Sequence, residues 1–207
     1  MGSETSQTHM TSTATNRRDS AGAPSRSQPI RRIVLTGFMG SGKSTVGRSL
    51  ARSLGWRFVD LDSVIEERDG RTVARIFAES SEAAFRTMET DALTSSLQES
   101  GVVLALGGGA LETPANRHLL GTTAQLRVVL LTAEFGTLYE RCRQQVAAAS
   151  TASLPVRPLL GEREAAAARL ARRDPIYREA AHLILDTTGQ QPEESVAALL
   201  EMLRTIL

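Results

Sequence analysis

The chain has 207 residues, with 24 basic and 23 acidic side chains and a formal net charge of +1. This near-neutral balance gives no general reason to expect a nucleic acid or a membrane surface as partner, and no apolar run approaches the roughly 18 residues that span a bilayer. The single cysteine, Cys142, excludes an intramolecular disulfide and is typical of a reducing cytosol. We therefore expect a cytoplasmic protein. A monomer is a separate expectation, which does not follow from the composition.

The chain divides into a tail and one folded unit. Residues 1–29 are rich in Ser, Thr, Gly, Pro and Ala and have no apolar periodicity, which predicts a disordered tail. Residues 30–207 leave roughly 175 residues, enough for a single domain with its own core.

The first element of that domain is a phosphate-binding loop. An apolar run at 33–35 predicts a buried strand, and Gly37, Gly42, Lys43 and Ser44 follow at the spacing G-x-x-x-x-G-K-[ST]. Glycines let backbone N–H groups approach a polyphosphate, and the helix that follows favours an anion at its N-terminus. A glycine-rich turn that binds nothing is the alternative, and the flanking strand and helix disfavour it. The loop residues expected to contact ATP phosphates are Gly40, Ser41, Gly42, Lys43, Ser44 and Thr45.

The rest of the domain alternates between strand and helix patterns. Four further segments are predicted to be strands, at 57–60, 102–106, 126–131 and 183–185. Helical spacing or capping signals occur at 64–68, 73–78, 84–97, after Thr113-Pro114, and at 134–147, 162–173 and 192–206. The helix at 162–173 is expected to break at Pro175, and residues 148–160 are expected to form a lid loop. This alternation predicts a doubly wound parallel α/β sheet.

Two acidic residues follow the second strand. Asp60 ends the strand, where a carboxylate can hold Mg²⁺ through water. Asp62 would point to the same side if the strand continued, and it could accept a proton or a hydrogen bond from a substrate hydroxyl. A solvated turn with a helix cap is the alternative interpretation of this pair.

Three glycines and several arginines complete the candidate site. Gly107 to Gly109 follow a buried strand at its carboxyl end, where ligands bind in open α/β sheets, although a flexible turn is the simpler explanation. Arg86, Arg157 and Arg173 occur where a surface helix would not require them. Arg172 and Arg173 are neighbours, and either of them could be the ligand while the other is solvated.

Taken together and in this order, these motifs resemble shikimate kinase over residues 31 to about 200. The matching segments are residues 37–45, 58–62, 85–89, 106–109, 157–160 and 173–177. The resemblance implies ATP-dependent phosphorylation of the 3-hydroxyl of shikimate, in the pathway to chorismate and the aromatic amino acids. It also implies the fold of the nucleoside monophosphate kinases, a five-stranded parallel sheet with a mobile lid.

The same resemblance implies roles on the nucleotide side of the site. Lys43 would bind the phosphates, Ser44 and Asp60 would hold Mg²⁺, and Arg157 would reach the transferring phosphate from the lid. Arg141 is the equivalent of a family arginine that packs on adenine, but an Ala- and Ser-rich stretch at 144–155 lengthens the interval between it and the lid motif.

On the acceptor side, the resemblance implies that Asp62 hydrogen-bonds the acceptor hydroxyls and serves as base. Arg86 and Arg173 would bind the shikimate carboxylate. Gly108 would donate its backbone N–H to the substrate.

Three rival functions share some of these features. A gluconate kinase or a nucleotide kinase would have the same loop and fold, but paired arginines with a triple glycine suit a carboxylate with ring hydroxyls better. A GTP-binding switch is disfavoured because the D-x-x-G sequence at 186–189 lies near the C-terminus and N-K-x-D is absent, Lys43 being the only lysine. A catalytically dead relative would not need to keep Lys43, Asp60 and Asp62.

Overall fold

The computed structural model describes residues 29–149 and 163–204. Almost all of the predicted tail, most of the predicted lid, and Arg157 therefore lie outside the described residues. The strands of the described part are β1 (Arg32–Thr36), β2 (Arg57–Asp60), β3 (Val102–Ala105), β4 (Leu126–Thr132) and β5 (Leu183–Asp186). The helices are α1 (Lys43–Leu54), α2 (Leu61–Asp69), α3 (Val73–Glu79), α4 (Glu82–Ser96), α5 (Pro114–Thr122), α6 (Phe135–Ala149), α7 (Arg163–Ala180) and α8 (Pro192–Leu203), and a 3₁₀ turn covers Ala110–Glu112.

The five strands form one sheet in the order β2-β3-β1-β4-β5, and every neighbouring pair is parallel. Strands β2 and β3 lie on one side of β1, and β4 and β5 lie on the other side. In such a sheet, the crevice at the carboxyl ends of the strands is where ligands bind. The predicted doubly wound α/β sheet is confirmed.

Helices cover both faces of this sheet because successive side chains of a strand point to opposite faces. In β1, Ile33 and Leu35 pack into a core with residues of α1 and α8. Val34, between them, belongs to a second core that includes residues of α2, α4 and α7. All three side chains are fully buried, which explains why the central strand is a continuous apolar run.

Several helix ends follow the signals in the sequence. Gly55 and Gly70 terminate α1 and α2 with φ angles of 67° and 78°, which a residue with a side chain rarely adopts. Thr72 caps α3, with its hydroxyl accepting a hydrogen bond from the backbone N–H of Arg75. The predicted end of the sixth helix at 147 is short by two residues, since α6 continues to Ala149.

The predicted helix break at Pro175 is wrong, because α7 runs through this residue to Ala180. A proline inside a helix has no N–H for the carbonyl four residues earlier and costs about 3 kcal/mol. Tertiary contacts offset this cost. Arg173 and Tyr177 lie four residues apart on one side of α7, and both are buried, at 9% and 2% exposure. The Tyr177 hydroxyl donates a hydrogen bond to the carbonyl of Gly108 at 2.5 Å.

Among the described residues, no helix has the length and apolar character needed to cross a membrane.

Candidate active site

The phosphate-binding loop connects β1 to α1 and depends on its glycines. Gly37, Gly40 and Gly42 have φ angles of 138°, 76° and 90°. A side chain at Gly37 would overlap the carbonyl oxygen of Leu131, and one at Gly40 would overlap that of Leu138. The loop is therefore packed tightly against β4 and α6, and its shape requires residues without a Cβ.

The lysine of the loop folds back over it. Lys43 is the first residue of α1, and its Nζ donates to the carbonyl oxygens of Gly37 at 2.8 Å and Phe38 at 2.9 Å. These two bonds hold the ammonium at the carboxyl edge of the sheet, beside the N-terminus of α1. Gly40 and Ser41 are buried, whereas Thr45 is exposed.

Ser44 and Asp60 meet at the same edge. The Ser44 hydroxyl donates to Oδ2 of Asp60 at 2.7 Å. Ser44 lies in the first turn of α1 and Asp60 ends β2, so the contact crosses the end of β3, which separates β1 from β2 in the sheet. Hydroxyl and carboxylate oxygens are hard ligands of the kind that Mg²⁺ prefers, so the chemistry of this pair fits a magnesium site.

Asp62 reaches the site from a helix and not from an extended strand. Its orientation was predicted for a strand that continues to Asp62, but β2 ends at Asp60 and Asp62 lies in the first turn of α2. Its carboxylate still faces the triple glycine, since a Cβ at Gly107 would lie 2.7 Å from Oδ1 of Asp62 and 3.2 Å from Oε1 of Glu89. Gly107 thus brings the backbone close to two carboxylates.

Arg86 and Arg173 converge on the last glycine of the triplet. A Cβ at Gly109 would lie 2.6 Å from Nη2 of Arg86 and 3.1 Å from Nη2 of Arg173. The two arginines come from different helices, α4 and α7. Arg172 lies on the outer side of α7, where its side chain is 66% exposed.

Glu89 lies beneath these arginines, and sequence reasoning assigned it no role. It is 1% exposed and accepts a hydrogen bond from Nη1 of Arg86 at 2.8 Å. Burial raises the pKa of the Glu89 carboxyl, and the Arg86 charge offsets only part of that effect. The i,i+3 spacing of Arg86 and Glu89 on one helix was the available signal.

Two more residues of the site went unrecognised in the sequence. Glu112, in the 3₁₀ turn after the glycines, accepts hydrogen bonds from Arg172 and Arg173. Tyr177 packs under Gly108, and burial raises the pKa of its hydroxyl to about 12, so it donates a hydrogen bond at neutral pH. No periodicity marks Glu112, whereas Tyr177 lies one helical turn after Arg173.

Arg141 contacts the loop after β5. Its guanidinium donates to Oγ1 and the carbonyl of Thr187 at 2.9 and 2.8 Å, and to the carbonyl of Gln190 at 3.2 Å. These bonds fix Arg141 close to Thr187 and Gln190. The adenine contact expected for this arginine stays a prediction.

The parallel strand order β2-β3-β1-β4-β5 and the glycine-dependent loop after β1 define a P-loop fold of the nucleoside monophosphate kinase type. Comparison with known proteins gives the particular family. The family model for shikimate kinase matches residues 39–204, and the chain belongs to the shikimate kinase family.

The relatives cover nearly the whole domain. The shikimate kinase of Geobacter metallireducens is 42% identical over 175 residues, which is 82% of this chain and 90% of that protein. The shikimate kinase of Halorhodospira halophila is 41% identical over 176 residues, covering 84% and 93%. Among solved structures, the shikimate kinase of Acinetobacter baumannii in complex with shikimate has a TM-score of 0.75 and 34% identity, over 85% of this chain and 94% of that one.

Proposed function

We propose that this chain transfers the γ-phosphoryl group of ATP to the 3-hydroxyl of shikimate, forming shikimate 3-phosphate and ADP. Membership of the shikimate kinase family and the similarity to a kinase solved with shikimate support this activity. The observation that carries it for these residues is the convergence of Arg86 and Arg173 at Gly109, in the same glycine triplet whose first member, Gly107, lies against Asp62.

The nucleotide side of the reaction rests on the loop. Backbone N–H groups of residues 40–45 would bind the phosphates, and Lys43 would add a positive charge where negative charge develops in the transition state. Ser44 and Asp60 would hold Mg²⁺, which supplies charge neutralisation at the phosphate oxygens when bound. Arg141 would contact the adenine, and Arg157 would come from the lid to the transferring group.

The acceptor side rests on two arginines and an aspartate. The forks of Arg86 and Arg173 would fix the carboxylate of shikimate by parallel hydrogen bonds. With the Gly108 N–H, they would orient the ring so that one hydroxyl faces Asp62. That hydroxyl oxygen would form the new bond to phosphorus, the bond from phosphorus to the departing ADP oxygen would break, and Asp62 would take the hydroxyl proton.

The setting in the cell is part of the same proposal. The single cysteine and the use of ATP suit the cytoplasm, where the enzyme would act as a monomer without a nucleic acid or membrane partner. The chorismate pathway is where shikimate 3-phosphate would be used.

The test is a coupled assay of ADP release with shikimate, quinate, gluconate and a nucleoside monophosphate as acceptors. We expect turnover with shikimate, much weaker turnover with quinate, and none above background with the others. A preference for gluconate or for a nucleotide would reject the proposal, because neither rival acceptor needs two arginines on one ring carboxylate.

A further inference from the structure

Glu112 places a carboxylate of the protein between the two arginines of the acceptor site. Its Oε2 accepts hydrogen bonds from Nε of Arg173 at 2.9 Å and from Nη2 of Arg173 at 2.5 Å. The same oxygen lies 3.9 Å from Nη2 of Arg86. The Nη2 atoms of Arg86 and Arg173 also face Gly109, so Glu112 occupies part of the surface that a carboxylate bridging the two arginines would contact.

The second oxygen of Glu112 has a different partner. Oε1 accepts a hydrogen bond from Nη2 of Arg172 at 2.8 Å. Arg172 lies on the exposed side of α7, whereas the Arg173 side chain is 11% exposed. Glu112 can therefore leave Arg173 and keep an ionic partner in Arg172, which lowers the cost of releasing the inner arginine.

The other carboxylates near this cluster behave differently. Glu89 is buried and pairs with Arg86 from below, so it has no exposed side to move to. Glu82, on the exposed side of Arg86, forms an ion pair with it at 3.1 Å.

Glu112 is ionised at neutral pH. Burial alone would raise the pKa of its carboxyl, but hydrogen bonds and charges from Arg173 and Arg172 outweigh this effect and lower that pKa.

We propose that Glu112 is a specificity-determining residue that competes with the acceptor carboxylate for Arg173. This inference rests on the proposed binding of the shikimate carboxylate by Arg86 and Arg173. A ligand that offers only a carboxylate gains little binding free energy when it replaces Glu112 at Arg173. A ligand that also places hydroxyls against Asp62 gains further hydrogen bonds and displaces Glu112 to Arg172.

The size of the effect follows from the fraction of molecules in which Arg173 is released. If Glu112 holds Arg173 for about nine-tenths of the time, apparent affinity for a competing carboxylate falls about tenfold. Glu112→Gln removes the negative charge at nearly constant size. We expect it to lower the shikimate KM about three- to tenfold while kcat changes by less than about twofold.

The measurement pairs this KM with the inhibition constant of cyclohexanecarboxylate, a ring carboxylate without hydroxyls. Its inhibition constant should fall in Glu112→Gln at least as far as the shikimate KM. Glu99→Gln is the matched control: it removes the same charge from an exposed pair with Arg57 and should leave both constants unchanged. Glu112→Ala gives a second variant with the same expected direction, should the glutamine variant be poorly folded.

Removal of Arg172 tests the exchange itself. Arg172→Ala deprives Glu112 of its outer partner and should raise the shikimate KM. In the Glu112→Gln background, the same change should have no effect. A raised KM in both backgrounds would make Arg172 a direct ligand of the acceptor and would overturn the exchange.

The remaining outcomes separate this inference from the function on which it rests. A shikimate KM that is unchanged or raised in Glu112→Gln and Glu112→Ala rejects competition, and a raised one means that Glu112 positions Arg173. If Arg173→Ala leaves the shikimate KM unchanged in the same assay, the proposed carboxylate site is wrong and the inference falls with it.

Discussion

Gly109→Ala should disable acceptor binding without unfolding the protein. A methyl group at this position would lie 2.6 and 2.9 Å from Nη2 and Nη1 of Arg86, and 3.1 Å from Nη2 of Arg173. Ordinary contacts of a Cβ begin at 3.4 Å, so the Arg86 guanidinium must withdraw by close to an ångström and that of Arg173 by a few tenths. The φ of Gly109 is −101°, which alanine adopts readily, so the substitution adds no backbone strain.

The magnitude follows from how strongly transfer depends on orientation. A displacement approaching 1 Å in a positioning group costs roughly a hundredfold in rate, or about 2.7 kcal/mol. We therefore expect kcat/KM for shikimate to fall about 10- to 100-fold, mainly through KM, with the ATP KM unchanged. The displaced atoms are the ends of flexible side chains, so the midpoint of thermal unfolding should move by only a few degrees.

Two neighbouring substitutions calibrate this result. A methyl group at Gly108 would meet Nη1 of Arg173 at 3.6 Å, an ordinary contact, so Gly108→Ala should be the milder of the two. Gly121→Ala adds a methyl group to α5 with nothing within 4 Å, and it should leave shikimate turnover intact. Near-normal shikimate kinetics in a folded Gly109→Ala enzyme would refute the convergence of the two arginines on this glycine.

Three further predictions concern the nucleotide site and stability. Lys43→Ala should abolish turnover and keep the fold, as checked by ADP release and circular dichroism, since its charge acts in the transition state; near-normal turnover would disprove the assignment. Asp60→Asn should raise the Mg²⁺ concentration for half-maximal rate at least tenfold, and an unchanged requirement would place the metal elsewhere. His182 should weaken the fold in mild acid. Burial, and to a smaller extent the Arg127 charge, lowers the pKa of the His182 imidazole. In its neutral form, Nδ1 accepts a hydrogen bond from the Val128 N–H at 3.0 Å. Its stabilisation is complete above pH about 6.5 and is lost as pH falls below that value, because the unfolded chain takes up the proton first. Thermal unfolding at pH 7.5 and 5.5 should therefore show a smaller loss in His182→Gln than in wild type or in the control His118→Gln, and equal losses would contradict the prediction.

Much of the fold could be predicted because its signals are local. The continuous apolar runs of β1, β3 and β4 come from strands buried on both faces, and Gly55, Gly70 and Thr72 end or begin helices through their own backbone preferences. Pro175 misled the prediction for a physical reason. Its local cost is real, but the burial of Arg173 and Tyr177 on the same helix depends on contacts about 65 residues away in the chain.

The candidate site also has one part that local sequence predicts and another that depends on tertiary packing. The spacing of residues 37–44 predicts the phosphate-binding loop by itself, since every part of that motif lies within one turn and one helix start. The meeting of Arg86 with Arg173 depends on how α4 and α7 pack at the sheet edge, so only resemblance to a family suggested it. Glu112 has no signal at all, because its partners come from α7 and its own turn is three residues long.

The most direct test of the central claim is a double-mutant cycle on Arg86 and Arg173 with shikimate and ATP varied separately. Lysine variants suit it, because an ammonium keeps a charge beside the buried Glu89 but cannot form the two-bond fork. Each single variant should raise the shikimate KM steeply and should change the ATP KM little. Complete removal of one arginine would cost roughly 2–5 kcal/mol in acceptor binding, and the lysine variants should lose a part of that. The double variant should lose less than the sum of the two, because both arginines act on one carboxylate. Losses that simply add, or an ATP KM that suffers more than the shikimate KM, would contradict a shared acceptor carboxylate.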